Sequence, residues 1–406
     1  VNRSPFVLPE LYTRALEAVL GIPLTPGVTG RSKDREWKKL VAAVGELSQQ
    51  LTIDRSMAQR GDYLNDDTSR RAYRLYYMTT NFFKLWPGLR ELSHVGFFND
   101  SERKLTHLDL GSGPGTAIWS VALWLQEECG DLDYEWIATD IFPANLEDAR
   151  TFGNALFNSL NARPHGKFEP LDISDVKALR KLRERHGKFR LVTMMNALNE
   201  IGESLDEAFI AELMDLLEDD GALILVEPSS REISRRALRF HDKILDLGFH
   251  IFSPCTHALR CPALLNAGDW CHTEIPWERP EFIRRIDDEI GTLRLSLKST
   301  YFIIRKSPGN IREGLSQPIG ITARVVSELF DEKGRYRSFL CSERGREEFV
   351  LNKRDLSTIN ESFSSAARYD LVSVQDSEVR PHDVKLTALS TYVTEMTSSG
   401  ARNVDK

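Results

Sequence analysis

From Thr106 onward the sequence alternates short apolar runs with segments of helix length, and this alternation restricts the fold of the 406-residue chain more than any other feature. The runs are THLDL, YEWIATD, KFEPLD, FRLVTMM, GALILVEP, GFHIFSP and LRLSLKSTYFIIRK; between the first five lie segments such as NLEDARTFGNALFNSL and SLDEAFIAELMDLLEDD. A strand followed by a helix, repeated, builds a parallel sheet, because each connection must cross the sheet and cover one of its faces. The expected class is α/β, with a doubly wound sheet over residues 101–307. The flanks have other textures. Residues 1–100 read as a helical region: Trp37, Leu40, Val41, Val44, Leu47 and Leu51 recur at helical spacing, as do Tyr73, Tyr76, Tyr77 and Phe83 before Pro87-Gly88. Residues 308–385 hold β-branched and aromatic runs divided by turn signals such as Lys333-Gly334 and Arg344-Gly345, and read as a small β-rich domain. Residues 386–406 are expected to be a flexible tail.

Charge and hydropathy remove several classes of function. No window approaches the ~20 unbroken apolar residues of a membrane span, and the first residues lack a basic segment followed by an apolar core. The expectations are a cytoplasmic address, no membrane partner and a monomer. A net charge of -7 argues against coating nucleic acid through bulk charge. Local basic stretches exist at 231–243 (REISRRALRFHDK) and at 301–354, where eleven Lys/Arg face seven Asp/Glu. Each reads as a solvated face until a nucleic-acid partner is indicated independently. Arg70, Arg71 and Arg74 interleave with the tyrosines near residue 75; they read as solvated arginines beside a packed stripe, with RNA stacking as the alternative.

The first run ends in HLDLGSGPGT, which places Asp109, Gly111, Ser112, Gly113 and Gly115 between a strand and a helix starting near Thr116. Glycines there allow positive φ and let a ligand approach the main chain at a helix N-terminus. The spacing D-x-G-x-G-x-G differs from the dinucleotide fingerprint G-x-G-x-x-G. It resembles the first motif of class I S-adenosylmethionine-dependent methyltransferases, a Rossmann-like fold. That resemblance implies S-adenosylmethionine as cofactor. Asp140, at the end of the second strand, would take the ribose hydroxyls; Asp172 and Ile173, after the third, would hold the adenine. At the end of the fourth strand, MMNALNEIG offers Asn196 and Glu200 to position an acceptor or take a proton. The Asn/Asp-Pro-Pro-aromatic motif of exocyclic-amine methyltransferases is absent there, and a structural role for both residues is equally compatible.

Three of the five cysteines fall within PCTHALRCPALLNAGDWCH, residues 254–272, spaced C-x5-C-x9-C. In a reducing compartment such a cluster reads first as a metal site, and thiolates favour Zn²⁺ or an iron–sulfur core. Cys255, Cys261 and Cys271 need a fourth ligand, for which His257, His272 and the distant Cys341 are candidates. Cys129 reads as a buried apolar thiol.

Taken together, the helical N-terminal region, LDLGSGPGT, NALNEI, LVEP, the cysteine loop and the late Cys341 before a basic strand resemble the mitochondrial small-ribosomal-subunit methyltransferase-like assembly factors and their bacterial relatives, over residues 70 to 357. The resemblance implies a [4Fe-4S] cluster on Cys255, Cys261, Cys271 and Cys341, and binding to small-subunit ribosomal RNA on a small ribosomal subunit precursor. This sequence departs from the family in having Glu227-Pro228-Ser229-Ser230 for Glu-Pro-Gly-Thr, and Cys255-Thr256-His257 for Cys-Pro-His. Two further functions remain compatible with the residues: an active methyltransferase on rRNA or another acceptor, and a zinc-stapled scaffold without catalysis.

Overall fold

The computed structural model describes residues 5–24, 31–52, 64–100, 103–130, 132–158, 165–198, 201, 206–316 and 318–397. The first nine strands are β1 (Phe6–Val7), β2 (Leu105–Leu110), β3 (Tyr134–Asp140), β4 (His165–Pro170), β5 (Phe189–Met195), β6 (Leu217–Pro228), β7 (His250–Ser253), β8 (Thr273–Glu278) and β9 (Ser296–Arg305). They form one sheet in the order β1-β8-β9-β6-β5-β2-β3-β4, with β7 also on β9. The strands from β4 to β6 are parallel, and β9 runs antiparallel to β6. This is the doubly wound sheet expected from the alternation. Its central strand β5 is buried along its whole length, and the Thr116–Glu128 helix is buried from Thr116 to Leu125, as a helix apolar on all sides must be.

The flank of β9 that faces away from β6 is used twice. β7 pairs with its C-terminal part (His250↔Arg305, Ile251↔Ile304) and β8 with its N-terminal part (Thr273↔Ser299 to Pro276↔Ser296). Between them the chain leaves the sheet at Ser253 and returns at Thr273. The cysteine loop is this excursion, anchored at its exit by the Thr300 hydroxyl donating to the Cys271 carbonyl at 2.8 Å. β8 was not legible in the sequence, because TEIPWE contains a proline and follows a loop rich in turn residues.

The N-terminal region is mainly helical, with helices Glu10–Leu20 and Arg31–Thr52 and a continuous helical stretch from Asp67 to His94. Two features differ from the sequence reading. β1 adds to the sheet beside β8 (Phe6↔Trp277), so the region is not wholly helical. The arginines among the tyrosines are internal ties rather than solvated charges: Arg70 Nε and Arg74 Nη1 lie 3.0 and 3.1 Å from the Asp148 carboxylate, and Arg71 pairs with Glu36. Among the described residues no helix is long and apolar enough to cross a membrane.

The remaining strands are β10 (Ile321–Val325), β11 (Phe330–Glu332), β12 (Arg335–Ser342), β13 (Gly345–Asn352), β14 (Leu371–Gln375), β15 (Glu378–Val379), β16 (Val384–Leu386) and β17 (Thr391–Met396). They make a second sheet in the order β15-β16-β13-β12-β10-β14-β17, with β11 on β12. Its core is separate, built from Ala323, Val325, Leu340, Phe349, Leu351, Phe363, Val372, Val374 and Tyr392. The expected tail is corrected here: β17 pairs with β14 and buries Tyr392, so the ordered sheet runs on to Met396. The polar SSGARNVDK that follows hides the short TYVTEM strand in a composition-based reading. Residues 398–406 lie outside the described residues.

Candidate functional site

Strand order reverses at β2, which lies between β3 and β5, and open α/β sheets bind ligands beyond the carboxyl ends of strands at such a point. A cleft opens there, lined by Asp109, Gly111, Ser112, Gly113, Asp140, Phe142, Asn145 and Asn196, with Leu64 and Tyr73 contributed by the N-terminal region. Gly111, Gly113 and Gly115 have φ of 72°, 52° and 84°. A Cβ on Gly111 would lie 2.8 Å from the Ala197 Cβ, and one on Gly115 would lie 2.5 Å from Trp119 Nε1, so side chains are excluded from the loop by both backbone and space. Asp140 Oδ2 accepts from the Gly113 N–H at 2.8 Å, while Oδ1 accepts from the Phe142 N–H at 2.9 Å and Asn145 Nδ2 at 3.1 Å. Burial raises its pKa and these hydrogen bonds oppose the rise.

Asp109 is 1% exposed, and its Oδ2 has no hydrogen-bond partner. Oδ1 accepts from the Thr193 hydroxyl at 2.6 Å. The Thr193 oxygen is 2.7 Å from His107 Nε2, and His107 Nδ1 is 2.7 Å from the Tyr134 hydroxyl. Burial lowers the His107 pKa to about 3, so the ring is neutral and carries one N–H. Because Thr193 donates to the carboxylate, it must accept from Nε2–H, which leaves Nδ1 to accept from Tyr134. The chain of donors therefore runs in one direction and holds the carboxylate from below, with Oδ2 unused. Burial raises the Asp109 pKa to about 6, and the Asp140 charge adds to that rise. His107, Tyr134 and Thr193 were missed in the sequence because alternation along a strand marks them only as interior positions.

The other sequence candidates are distributed as follows. Asn196 lines the cleft at φ 59°, and its Oδ1 is buried without a partner. Glu200 and Asn199 lie outside the described residues. Asp172 is exposed and accepts from the backbone N–H and hydroxyl of Ser174, so its carboxylate shapes its own turn; Ile173 sits beside Gly111. Neither Asp172 nor Ile173 lines the cleft.

The four cysteines Cys255, Cys261, Cys271 and Cys341 line one cavity, together with His257, Trp270, Arg324 and Arg346. Three arrive on the loop between β7 and β8; the fourth comes from β12 of the second sheet, where Cys341 sits opposite Arg346 of β13. Each of three thiols has a polar neighbour: His241 Nε2 lies 3.5 Å from Cys255 Sγ, the Tyr369 hydroxyl 3.1 Å from Cys271 Sγ, and His257 Nε2 3.4 Å from Cys341 Sγ. His272 is not part of this lining, and burial lowers its pKa to about 4. Burial pushes all four thiols up, Cys341 to about 12; neighbouring sulfurs raise Cys255, Cys261 and Cys341 further, while Tyr369 and nearby arginines oppose the rise at Cys271. Among the described residues no three His, Cys, Asp or Glu side chains converge tightly enough to hold a single metal ion. Cys129 lies apart, half-buried at the end of the Thr116–Glu128 helix.

The basic stretch 301–354 is largely compensated rather than a free cationic face: Arg312 pairs with Glu343, Arg335 and Arg337 with Glu332, Arg344 with Glu347, Arg346 with Asp269 and Lys353 with Asp331. On the Arg231–Asp246 helix, Arg231 and Arg239 are exposed, and Arg235 is tied to the cysteine loop through the carbonyls of Ala263, Asn266 and Asp269.

Residues 68–369, about three quarters of the chain, match the model of a family described as mitochondrial small ribosomal subunit Rsm22. No curated protein matches the chain. Among solved structures, a Listeria monocytogenes protein assigned to the class I S-adenosylmethionine-dependent methyltransferases aligns with 11% identity over 74% of this chain and 88% of its own, at a TM-score of 0.37. An O-methyltransferase family protein from Burkholderia thailandensis aligns with 14% identity over 66% and 73%, at 0.33. The plantazolicin methyltransferase BpumL, in complex with SAH, aligns with 11% identity over 68% and 99%, at 0.32.

Proposed function

The chain belongs to the mitochondrial small ribosomal subunit Rsm22 family, and from that premise we propose a methyltransferase-like protein that binds S-adenosylmethionine, holds a [4Fe-4S] centre on Cys255, Cys261, Cys271 and Cys341, and docks on small-subunit ribosomal RNA during ribosome assembly. The observation that carries this reading is the meeting of three thiols from the loop between β7 and β8 with one from β12 of the second sheet around one apolar cavity. Four cysteine sulfurs lining one cavity are the donor set of a soft metal centre, and the iron–sulfur core is the member of that class we propose. Such a core would supply bonds that join the two sheets. His241, His257 and Tyr369 then orient three of the sulfurs, and the apolar wall excludes water.

The cleft fits S-adenosylmethionine through the unused Asp109 Oδ2, an acceptor suited to an ammonium group, and through the glycine loop, whose bare main chain at Gly113 a ligand can approach closely. Asp140, which lines the cleft, is the residue we assign to the ribose hydroxyls, and Ile173, beside Gly111, is the one we assign to the adenine. The cofactor supplies an electrophilic methyl group. Exposed Arg231 and Arg239, on a helix tied to the cysteine loop, are candidate phosphate contacts. We place the protein in a reducing compartment, the cytoplasm, and as a monomer.

Anaerobic purification followed by iron and sulfide analysis tests the centre: a brown protein absorbing near ~400 nm is expected, and a colourless one with neither element would refute it. Sedimentation with small ribosomal subunits and crosslinking to their RNA tests the partner; absence of both would refute that part. A second reading, active methyl transfer, is favoured by Asn196, which lines the cleft and whose buried Oδ1 has no partner. Transfer of labelled methyl to isolated subunits checks it, with Asn196→Ala expected to lower the rate.

A further inference from the structure

Arg324 has more donors than the protein uses. It lies in β10 and is 3% exposed. Its Nε donates to the Pro254 carbonyl at 2.9 Å, and Nη1 donates to the Tyr369 carbonyl at 3.0 Å and reaches Glu91 Oε1 at 2.9 Å. Nη2 is buried with no hydrogen-bond partner, and the residue lines the cavity shared by the four thiols. Glu91, 5% exposed, is engaged on its other oxygen by the Tyr301 hydroxyl at 2.9 Å and by the Ser253 hydroxyl. A buried cation is thus paired on the side of the large sheet and left with spare N–H groups at the cavity.

Two other arginines near the cavity each have an acidic partner. Arg346 pairs with Asp269 at 2.8 Å, and Arg368 donates to the Val326 carbonyl and lies 3.3 Å from Glu328, while the Nε of each is buried without a partner; unlike Arg324, both pair with carboxylates outside the large-sheet core. On the acidic side, Asp242 faces Cys261 through that residue's N–H at 2.9 Å. Four thiolates around either Zn²⁺ or a [4Fe-4S]²⁺ core leave two net negative charges in a buried place, and a buried anion requires a compensating charge. A protonated thiol is a weak acceptor and a thiolate a strong one.

We propose that Arg324 is a charge-compensating and positioning residue of the four-thiolate centre, its Nη2 group donating to anionic sulfur while Glu91 limits how much positive charge it delivers. The inference rests on the reading that this cavity holds a metal centre, but it holds for either metal. Two consequences of opposite sign follow. Removing the Arg324 charge weakens the centre's hold and, for an iron–sulfur core, makes reduction to the more negative state harder. Removing the Glu91 charge does the reverse.

The test uses the full chain purified anaerobically, with metal and sulfide content measured first. Arg324→Gln is expected to release metal to a chelator roughly 10–100-fold faster than the parent, as loss of an outer partner of a metal site does, and to lower the midpoint potential of an iron–sulfur centre. Glu91→Gln is expected to release metal no faster and to raise that potential. Arg324→Lys keeps the charge but not the three-point geometry, and is expected to restore much of the parent's retention. If Arg324→Gln and Glu91→Gln both speed release, or if Arg324→Gln leaves the rate unchanged, the proposal is wrong and the pair is only a structural tie. If Arg324→Lys behaves like Arg324→Gln, geometry rather than charge is responsible and the proposal also fails. A parent protein without metal or sulfide overturns it at the first step, together with the reading beneath it.

Discussion

Asp109 shows how far burial changes a single residue. Its ordinary pKa of 3.8 rises to about 6 in the fold. Between these two values the folded chain holds a proton that the unfolded chain has released, so stability falls as pH rises through that window and levels off above it. Asp109→Asn is expected to remove this slope, which denaturant titrations at several pH values would show. An ammonium ligand favours the ionised carboxylate, so S-adenosylmethionine should bind more tightly as pH rises through about 6, measurable by calorimetry. Thr193→Val strands the His107 N–H and deletes the donor to Asp109; a loss of about 1–3 kcal/mol is expected from the unsatisfied group, with the Asp109 pKa rising further. Gly111→Ala meets both a positive φ and the Ala197 Cβ, and should reduce cofactor binding as well as stability.

At the scale of elements, the informative unit is β9 with β7 and β8 in series on one flank. The excursion between them exists because the two short strands share a neighbour instead of pairing with each other. This gives a loop fixed at both ends, which can present three thiols without a helix or sheet of its own. The far edge of the second sheet is the counterpart. Tyr392 of β17 is buried against Phe363, ring centroids 5.1 Å apart, and Tyr392→Ala should cost about 3–5 kcal/mol as other large-to-small aromatic core changes do. Calorimetry should show the melting transition of the β-rich domain lowered while that of the large sheet is unchanged.

For the whole molecule, the two sheets meet through polar links, Arg324 to Glu91 and Pro254, Tyr369 to Cys271 and the partly exposed Arg346 to Asp269, and through Tyr369 and Leu371 packed into the core of the large sheet. Each polar link passes beside the thiol cavity. If the cavity holds the proposed metal centre, stripping it is expected to raise amide exchange together in β10, β12, β13 and residues 254–272, while β2 to β5 stay protected. Uniform loss of protection, or none, would show that the cavity does not couple the sheets. If Arg231 and Arg239 contact phosphates, replacing both by Gln should weaken RNA association and reduce its salt dependence by about two counterions.

The sequence by itself determined the doubly wound sheet, because strand and helix periodicities are local properties that repeat along the chain. It also marked the glycine loop and the cysteine loop, since both depend on residue types at short spacings. The expected tail failed for the same reason: a single short strand amid polar residues carries little local signal, and its pairing with β14 is supplied from twenty residues upstream. Only the tertiary structure decided which distant groups meet. That Asp109 rests on Thr193, His107 and Tyr134, that His257 lies against Cys341, and that Arg324 stands between Glu91 and the thiols are all consequences of strand order. Strand order places side chains together across 80 or more residues, as in the 84 that separate His257 from Cys341. No local pattern encodes such separations, because the energy that fixes them comes from packing the sheets rather than from the residues' own neighbours.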